Sequence, residues 1–232
     1  MKACDLSPAE SVSVPRHGTI TLVLGGVRSG KSRFAQSLAQ QLGGDEVLFI
    51  ATAEPGDSEM QRRIAIHHQS RPQAWRTLET SLVSRLTDED ILQPVKATAN
   101  GPPKVVLVDC VTLLVSNIVC RPDAVGECHD ATASLESEVE REVQSLCDIA
   151  IRHTIHLIVV SGEVGLGLVP ESKLGRIFRD LLGLANQRLA SFADASYFML
   201  AGQPVPLSAL ACNVFDVAQE LKSAIAKDGH AT

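Results

Sequence analysis

Short apolar runs alternate with longer amphipathic segments along most of this chain of 232 residues. The runs at 104–110 and 154–161 are apolar nearly throughout, which is expected of strands covered on both faces of a sheet. Together with the other runs they predict β-strands over 19–24, 46–51, 104–110, 154–161 and 195–201, with a short extended piece at 75–78.

The segments between these runs carry apolar residues at helical spacing. They predict helices over 31–42, 59–70, 81–86, 131–153 and 171–193. Gly43 and Gly44 end the first helix, and Arg71-Pro72 ends the second because the residue before a proline is pushed out of α geometry. Residues 94–103 are expected to form a connector.

Strands that alternate with helices form parallel βαβ units, so we predict an α/β fold with a mostly parallel central sheet flanked by helices. One domain is expected over 18–207, between a flexible polar leader at 1–17 and a C-terminal extension at 208–232. Ligands of such sheets bind at the carboxyl ends of the strands. This rule selects the residues that follow the strands, at 25–32, 52–57, 109–112 and 162–167.

The segment after the first strand carries the most specific motif. Its sequence, which matches G-x-x-x-x-G-K-S, is Gly25-Gly26-Val27-Arg28-Ser29-Gly30-Lys31-Ser32. Between a strand and a helix this is a phosphate-binding P-loop, in which glycines let backbone N–H groups point at phosphate oxygens. Lys31 is predicted to reach the β- and γ-phosphates of a nucleoside triphosphate, and the Ser32 hydroxyl to bind Mg²⁺. The fold is therefore predicted to be of the P-loop NTPase type.

Asp109 follows four apolar residues, Val105 to Val108, which is the Walker B pattern. We expect its carboxylate to hold Mg²⁺ directly or through water. The alternative is an ordinary strand-end residue that caps a turn.

Three further features stay open at this point. His67 and His68 lie on the predicted second helix, where neighbours point about 100° apart, so the pair is either solvent-facing or offers one nucleophile or base. The Gly-containing segment 163–170 is either an active-site loop or a structural turn. Arg176 and Arg179 share one helix face and either clamp phosphates or pair with surface acids.

Composition narrows the class of protein. A formal net charge of −6 argues against a nucleic-acid partner, which usually meets a basic surface. No run approaches 18 consecutive apolar residues and the N-terminus lacks a signal pattern, so we expect no membrane span and a cytoplasmic location. The six cysteines form no C-x-x-C pair, which makes a zinc site unexpected.

With these residues in hand, the chain resembles the bifunctional adenosylcobinamide kinase/adenosylcobinamide-phosphate guanylyltransferase family of cobalamin biosynthesis. The resemblance runs in order over about 19–207. Beyond the P-loop, its motifs are F-I-A-T (49–52), E-M-x-x-R-I-x-x-H (59–67), R-P-x-x-W-R-T-x-E (71–79), V-D-C-x-T (108–112), E-V-G-x-G-x-V-P (163–170) and R-x-F-R-D-x-x-G-x-x-N-Q-R-L-A (176–190).

The resemblance implies two reactions, with ATP or GTP and Mg²⁺. The first phosphorylates the aminopropanol hydroxyl of adenosylcobinamide. The second transfers GMP from GTP to that phosphate through a histidine, which by register is His67. Further nucleotide contacts carry over to Thr52, His68, Gln69, Ser70, Arg71, Glu79 and Asp109. The family also implies a homo-oligomer, a trimer.

The chain departs from the family at position 162, where many relatives carry Asn and this chain has Gly162. Two other functions remain to be weighed. One is a monofunctional P-loop small-molecule kinase, which needs no histidine on the second helix. The other is a GTP switch, which usually carries N-K-x-D, and no Asn-Lys pair occurs in this sequence.

Overall fold

The structure, a computed structural model, describes residues 18–54, 61–62, 71–95, 101–121, 130–212 and 218–219. Its strands are β1 Ile20–Gly25, β2 Val47–Ala51, β3 Arg76–Glu79, β4 Val105–Asp109, β5 His156–Val160, β6 Ala195–Leu200 and β7 Gln203–Pro206. Its helices are α1 Lys31–Gly43, α2 Asp88–Leu92, α3 Val111–Val119, α4 Asp130–His153 and α5 Lys173–Phe192, with a 3₁₀ turn at Val83–Arg85.

The seven strands form one sheet in the order β3-β2-β4-β5-β1-β6-β7. All neighbours are parallel except β6 and β7, which pair antiparallel at one edge. The predicted α/β fold with a mostly parallel sheet is thus confirmed. The carboxyl ends of β1 to β5 meet at one edge of the sheet, and the predicted P-loop follows the interior strand β1.

Alternate residues of the buried strands face two separate cores, as the period of two requires. On one face, Leu22 of β1 and Val106 of β4 pack with α3, α4 and α5. On the other face, Val23 and Leu107 pack with Ala35 and the rest of the inner side of α1. Because each interior strand is covered on both faces, its sequence is continuously apolar.

Four elements differ from the sequence prediction. The helix predicted over 81–86 is wrong, since only the single 3₁₀ turn Val83–Arg85 forms there. The true helix, α2, begins just after it, at a capping box in which the Thr87 side chain accepts from Asp90 N and the Asp90 carboxylate accepts from Thr87 N. That T-x-x-D signal could have been found in the sequence.

Helix α3 and strand β7 were not predicted. Helix α3 carries buried Val111, Leu114, Val115, Ile118 and Val119 and so shows no strong polar stripe. Strand β7 contains two prolines, which strands tolerate at a sheet edge. Of the predicted helix 59–70, residues 61–62 are helical and the others lie outside the described residues. Within the described ranges, no helix is both long and apolar enough to cross a membrane.

Candidate active site

The P-loop leaves β1 at Gly25 and enters α1 at Lys31. Gly25 has φ +148°, and a Cβ there would lie 2.7 Å from the Met199 carbonyl oxygen. Gly30, the N-cap of α1, has φ +95°, and Arg28 between them has φ 55°. These left-handed conformations and this close approach account for glycine at both ends of the loop. The loop is closed further by Gly202, whose N–H donates to the Ser29 carbonyl at 3.0 Å.

Lys31 is folded back over this loop. Its Nζ atom donates to the Gly26 carbonyl oxygen at 2.6 Å. Burial lowers the pKa of the ammonium group, while the neighbouring Cys110 and Asp109 oppose that shift. The amine is therefore held at the mouth of the loop by a single carbonyl, which an incoming phosphate oxygen could replace.

A cavity of about 330 Å³ lies at the carboxyl ends of the strands. From the P-loop it is lined by Gly25, Val27, Arg28, Lys31 and Ser32. It is also lined by Arg71, which precedes β3, and by the strand-end residues Glu79 and Asp109, three of the seven residues placed at nucleotide contacts by resemblance. One cavity thus gathers half of the predicted site residues, from separate parts of the chain.

Arg71 is another cation of this cavity, beside Lys31 and Arg28. Its Cζ atom lies 3.9 Å from the centroid of the Phe49 ring, in a cation–π contact. Burial lowers the pKa of the guanidinium, and the charges of Asp109 and Glu79 oppose that shift. Its Nε and Nη1 atoms are buried and have no hydrogen-bond partner among the described residues. Buried donors without partners are uncommon in folded proteins, so these atoms suit an anionic ligand.

Ser32 and Asp109 both offer oxygen atoms to the cavity, which fits a divalent cation such as Mg²⁺. In the described part of the chain, no group of three His, Cys, Asp or Glu side chains could hold a metal alone. Mg²⁺ commonly takes one or two protein ligands and completes its shell with phosphates and water. The residues present therefore fit a cation that arrives with a nucleotide.

Thr52 is not among the residues that line the cavity. It is fully buried, and its hydroxyl donates to the Cys110 carbonyl at 2.6 Å and accepts from Cys110 N at 2.9 Å. Its backbone carbonyl accepts from Asn117 Nδ2 at 2.8 Å. The described contacts of Thr52 therefore hold the backbone directly after Asp109.

The remaining predicted residues divide into two groups. Gly26, Ser29 and Gly30 belong to the P-loop backbone, and the buried Ser29 Oγ has no hydrogen-bond partner in the described ranges. His67, His68, Gln69 and Ser70 lie outside the described residues.

A buried network that sequence reasoning missed fixes the opposite wall of the cavity. Asn186 on α5 accepts from Ser161 Oγ at 2.6 Å and donates through Nδ2 to the Gly162 carbonyl at 3.0 Å. Gly162 N in turn donates to Thr112 Oγ1 at 2.6 Å. A Cβ at position 162 would lie 2.8 Å from that same oxygen, so an Asn here would displace Thr112. A polar Asn on the apolar face of a helix was the available signal.

Arg176 and Arg179 take neither of the two roles weighed for them. Arg176 Nη1 donates to the carbonyls of Pro170 and Glu171, at 3.1 and 2.6 Å. Arg179 Nη1 donates to the Leu168 carbonyl at 3.3 Å. Both guanidinium groups therefore brace the loop that runs from β5 to α5.

Comparison with known proteins shows the family of this chain. The family model described as cobinamide kinase/cobinamide phosphate guanyltransferase matches residues 21–207. The bifunctional adenosylcobalamin biosynthesis protein CobU of Escherichia coli K12 is 39% identical over 184 residues, which cover 78% of this chain and 95% of that protein. CobU of Salmonella typhimurium LT2 is 37% identical over 188 residues, which cover 78% and 95%.

A third relative, the bifunctional protein CobP of Pseudomonas aeruginosa PAO1, is 39% identical over 186 residues, 80% of this chain and 95% of that protein. The resemblance drawn from the motifs is confirmed by these matches. The chain is a transferase, and it belongs to the cobinamide kinase/cobinamide phosphate guanyltransferase family.

Proposed function

We propose that this chain phosphorylates the aminopropanol hydroxyl of adenosylcobinamide with a nucleoside triphosphate and then transfers GMP from GTP to the new phosphate. The observation that carries the proposal is the meeting of Lys31, Arg71 and Asp109 in one cavity behind a P-loop. Cationic side chains for phosphate oxygens beside a carboxylate for a metal ion suit a polyphosphate with its bound cation. The family match adds the acceptor and the second reaction.

In the kinase step, the P-loop would bind the β- and γ-phosphates, and Lys31 would exchange the Gly26 carbonyl for a phosphate oxygen. The acceptor oxygen would attack the γ-phosphorus as the hydroxyl loses its proton. The bond from that phosphorus to the bridging oxygen breaks, and the nucleoside diphosphate leaves. Lys31 and Arg71 would stabilise the charge that develops on the transferred group and the leaving oxygen.

Ser32 and Asp109 would hold Mg²⁺ at this cavity. The cation, when bound, supplies neutralising charge between the β- and γ-phosphates. Asp109 also lies close enough to Lys31 and Arg71 to influence the pKa of each. Loss of its charge would therefore affect both the cation site and the phosphate-binding groups.

In the second step, a neutral His67 would attack the α-phosphorus of GTP, and pyrophosphate would leave. The phosphate of adenosylcobinamide phosphate would then attack the same phosphorus, giving adenosylcobinamide-GDP and free histidine. His67 is chosen by its register in the family motif. Arg71, four residues further on, lines the cavity, which supports a position near the nucleotide for this part of the chain.

The test is incubation with GTP labelled at the α-phosphate, followed by mapping of the labelled residue. We expect an acid-labile label on His67 in the wild type and in His68→Ala, and no label in His67→Ala. Kinase activity should survive in His67→Ala because phosphorylation needs no covalent carrier. A label on His68, or guanylyl transfer without any labelled protein, would contradict the mechanism.

The same assay separates the proposed function from a monofunctional kinase, which would give phosphorylated product but neither label nor adenosylcobinamide-GDP. Parallel reactions with ATP and GTP labelled at the γ-phosphate identify the donor of the kinase step. We propose a trimer from the family resemblance, and analytical ultracentrifugation at assay concentration tests it.

A further inference from the structure

The loop between β5 and α5 exposes a run of apolar side chains beside the cavity. Leu166 is 83% exposed, Leu168 96% and Val169 65%. Across the cavity mouth, Val27 in the P-loop is 91% exposed. Single exposed apolar residues are ordinary, but a group at the mouth of a site marks a binding surface. We call Val27, Val164, Leu166, Leu168 and Val169 the apolar rim.

The rim is braced by backbone contacts. At one end, Glu163 N donates to the Gly25 carbonyl at 3.0 Å, which ties the loop to the P-loop. At the other end, the Leu168 and Pro170 carbonyls accept from Arg179 and Arg176. The loop is therefore held by its polar atoms while its leucine side chains stay exposed. That arrangement leaves an apolar surface ready for a ligand.

Two members of the rim line the phosphate cavity. Val27 and Val164 line the cavity itself, and Leu166 and Leu168 follow within four residues of Val164. From Val164 to Pro170 the loop carries no charged side chain. Its chemistry thus suits a ligand with apolar surface that comes close to the phosphates without binding them.

Adenosylcobinamide has this character. Its corrin macrocycle is a large conjugated ring with methyl groups, and its aminopropanol arm carries the hydroxyl that receives the phosphoryl group. A cavity of about 330 Å³ is at the small end of ligand pockets, and we assign it to the phosphates and to the arm that reaches them. The macrocycle must then lie outside the cavity while its arm reaches in.

We propose that the apolar rim binds the corrin macrocycle and thereby directs the aminopropanol hydroxyl toward the phosphates held by Lys31. This inference rests on the proposed function, since it assigns a site to the acceptor of the same reaction. Leu166 and Leu168 supply most of the contact because they are the most exposed side chains of the loop.

The test compares two double variants. Leu166→Ser/Leu168→Ser removes the centre of the rim. The matched control is Leu42→Ser/Ile151→Ser, which changes two apolar residues that are 48% and 54% exposed. They lie near the C-terminal ends of α1 and α4, at the opposite edge of the sheet. The readouts are KM for adenosylcobinamide, kcat, and the Kd for GTP by calorimetry.

We expect the rim variant to raise KM for adenosylcobinamide at least tenfold, with kcat and the Kd for GTP within twofold of the wild type. The rise is expected because both serine substitutions remove apolar surface that the ligand would otherwise cover. Leu166→Ala/Leu168→Ala should give a smaller rise, and the control variant none.

An unchanged KM in the rim variant, with an active wild type, would overturn this inference and leave the proposed function intact. A change of oligomeric state in that variant, measured by ultracentrifugation, would assign the rim to contact with a second copy of the chain and would likewise overturn it. A wild type that binds GTP but neither binds nor phosphorylates adenosylcobinamide would overturn the proposed function, and this inference with it.

Discussion

Two polar sites at opposite edges of the parallel sheet differ in whether their hydrogen bonds are made within the described part of the chain. At the amino edge, the His156 ring is bonded by the Thr19 and Thr21 hydroxyls, and the Asp194 carboxylate accepts from Ile20 N at 2.8 Å. At the carboxyl edge, Arg71 keeps two buried nitrogen atoms without hydrogen-bond partners among the described residues.

This difference indicates that some polar groups of the sheet contribute to the stability of the fold and others to ligand binding. A buried donor without a partner costs about 1–3 kcal/mol, so the carboxyl edge is less stable than it could be. Such local violations are expected where a ligand supplies the missing partners. Substitutions at the carboxyl edge should therefore reduce activity with little effect on the free energy of unfolding, and substitutions at the amino edge should do the reverse.

The largest effect is expected for Lys31→Ala. The change removes a cation that we place on the transferred phosphoryl group, and the loss of one such donor lowers kcat by about 100- to 1000-fold. The free energy of unfolding should change little, because within the described residues the Lys31 side chain makes one hydrogen bond, to Gly26 O. Steady-state kinetics and urea unfolding measure the two quantities.

Lys104→Ala is the matched control, since Lys104 precedes β4 at the amino edge and pairs there with Glu46 while 65% exposed. It should leave kcat unchanged. Wild-type turnover in Lys31→Ala would remove the P-loop from the mechanism and would end the contrast between the two edges.

Most of the predictions came from patterns of residues that are close together in the sequence. The P-loop was predictable because its glycines, Lys31 and Ser32 are consecutive in the chain and its geometry is set by the backbone. Interior strands were predictable because burial on both faces leaves an apolar run. Helix α3 was missed for the same reason, since its burial hides the helical period.

Contacts between residues that are distant in the sequence could not be predicted from local sequence patterns. Phe49 supports Arg71 only because β2 carries its ring beneath the segment that precedes β3. Asn186 reaches Gly162 only because α5 packs across the carboxyl end of β5. No spacing rule links 49 with 71 or 162 with 186, so the surroundings of the site required the fold.

A smaller effect, on stability alone, is expected for Asp194→Ala. The substitution removes the acceptor for Ile20 N at the start of β1, and loss of such a hydrogen bond costs about 1 kcal/mol. Asp194→Asn should lose less, because its amide oxygen can still accept. Urea unfolding measures the loss, and kcat should match the wild type in both variants. A fall in kcat at constant stability would mean that the amino edge also serves the reaction.

The smallest effect is the pH dependence contributed by His156. Burial lowers the pKa of this imidazole below its ordinary value of 6.5, and the charge of Asp194 opposes that shift only in part. The folded state therefore binds the proton less readily than the unfolded state. Above pH 6.5 the ring is neutral in both states, and its contribution to the free energy of unfolding is fully present. That contribution is lost as the pH falls from 6.5 toward the lower pKa of the folded state.

Urea unfolding of the wild type and of His156→Gln at several pH values between 8 and 5 tests this sign. The glutamine does not titrate, so the difference between the two proteins isolates the imidazole, whatever constant offset the lost contacts with Thr19 and Thr21 add. We expect the wild type to lose more stability on acidification than the variant. If attraction to Asp194 outweighed burial, the wild type would instead gain stability relative to the variant, and the amino edge would then be a site of charge pairing.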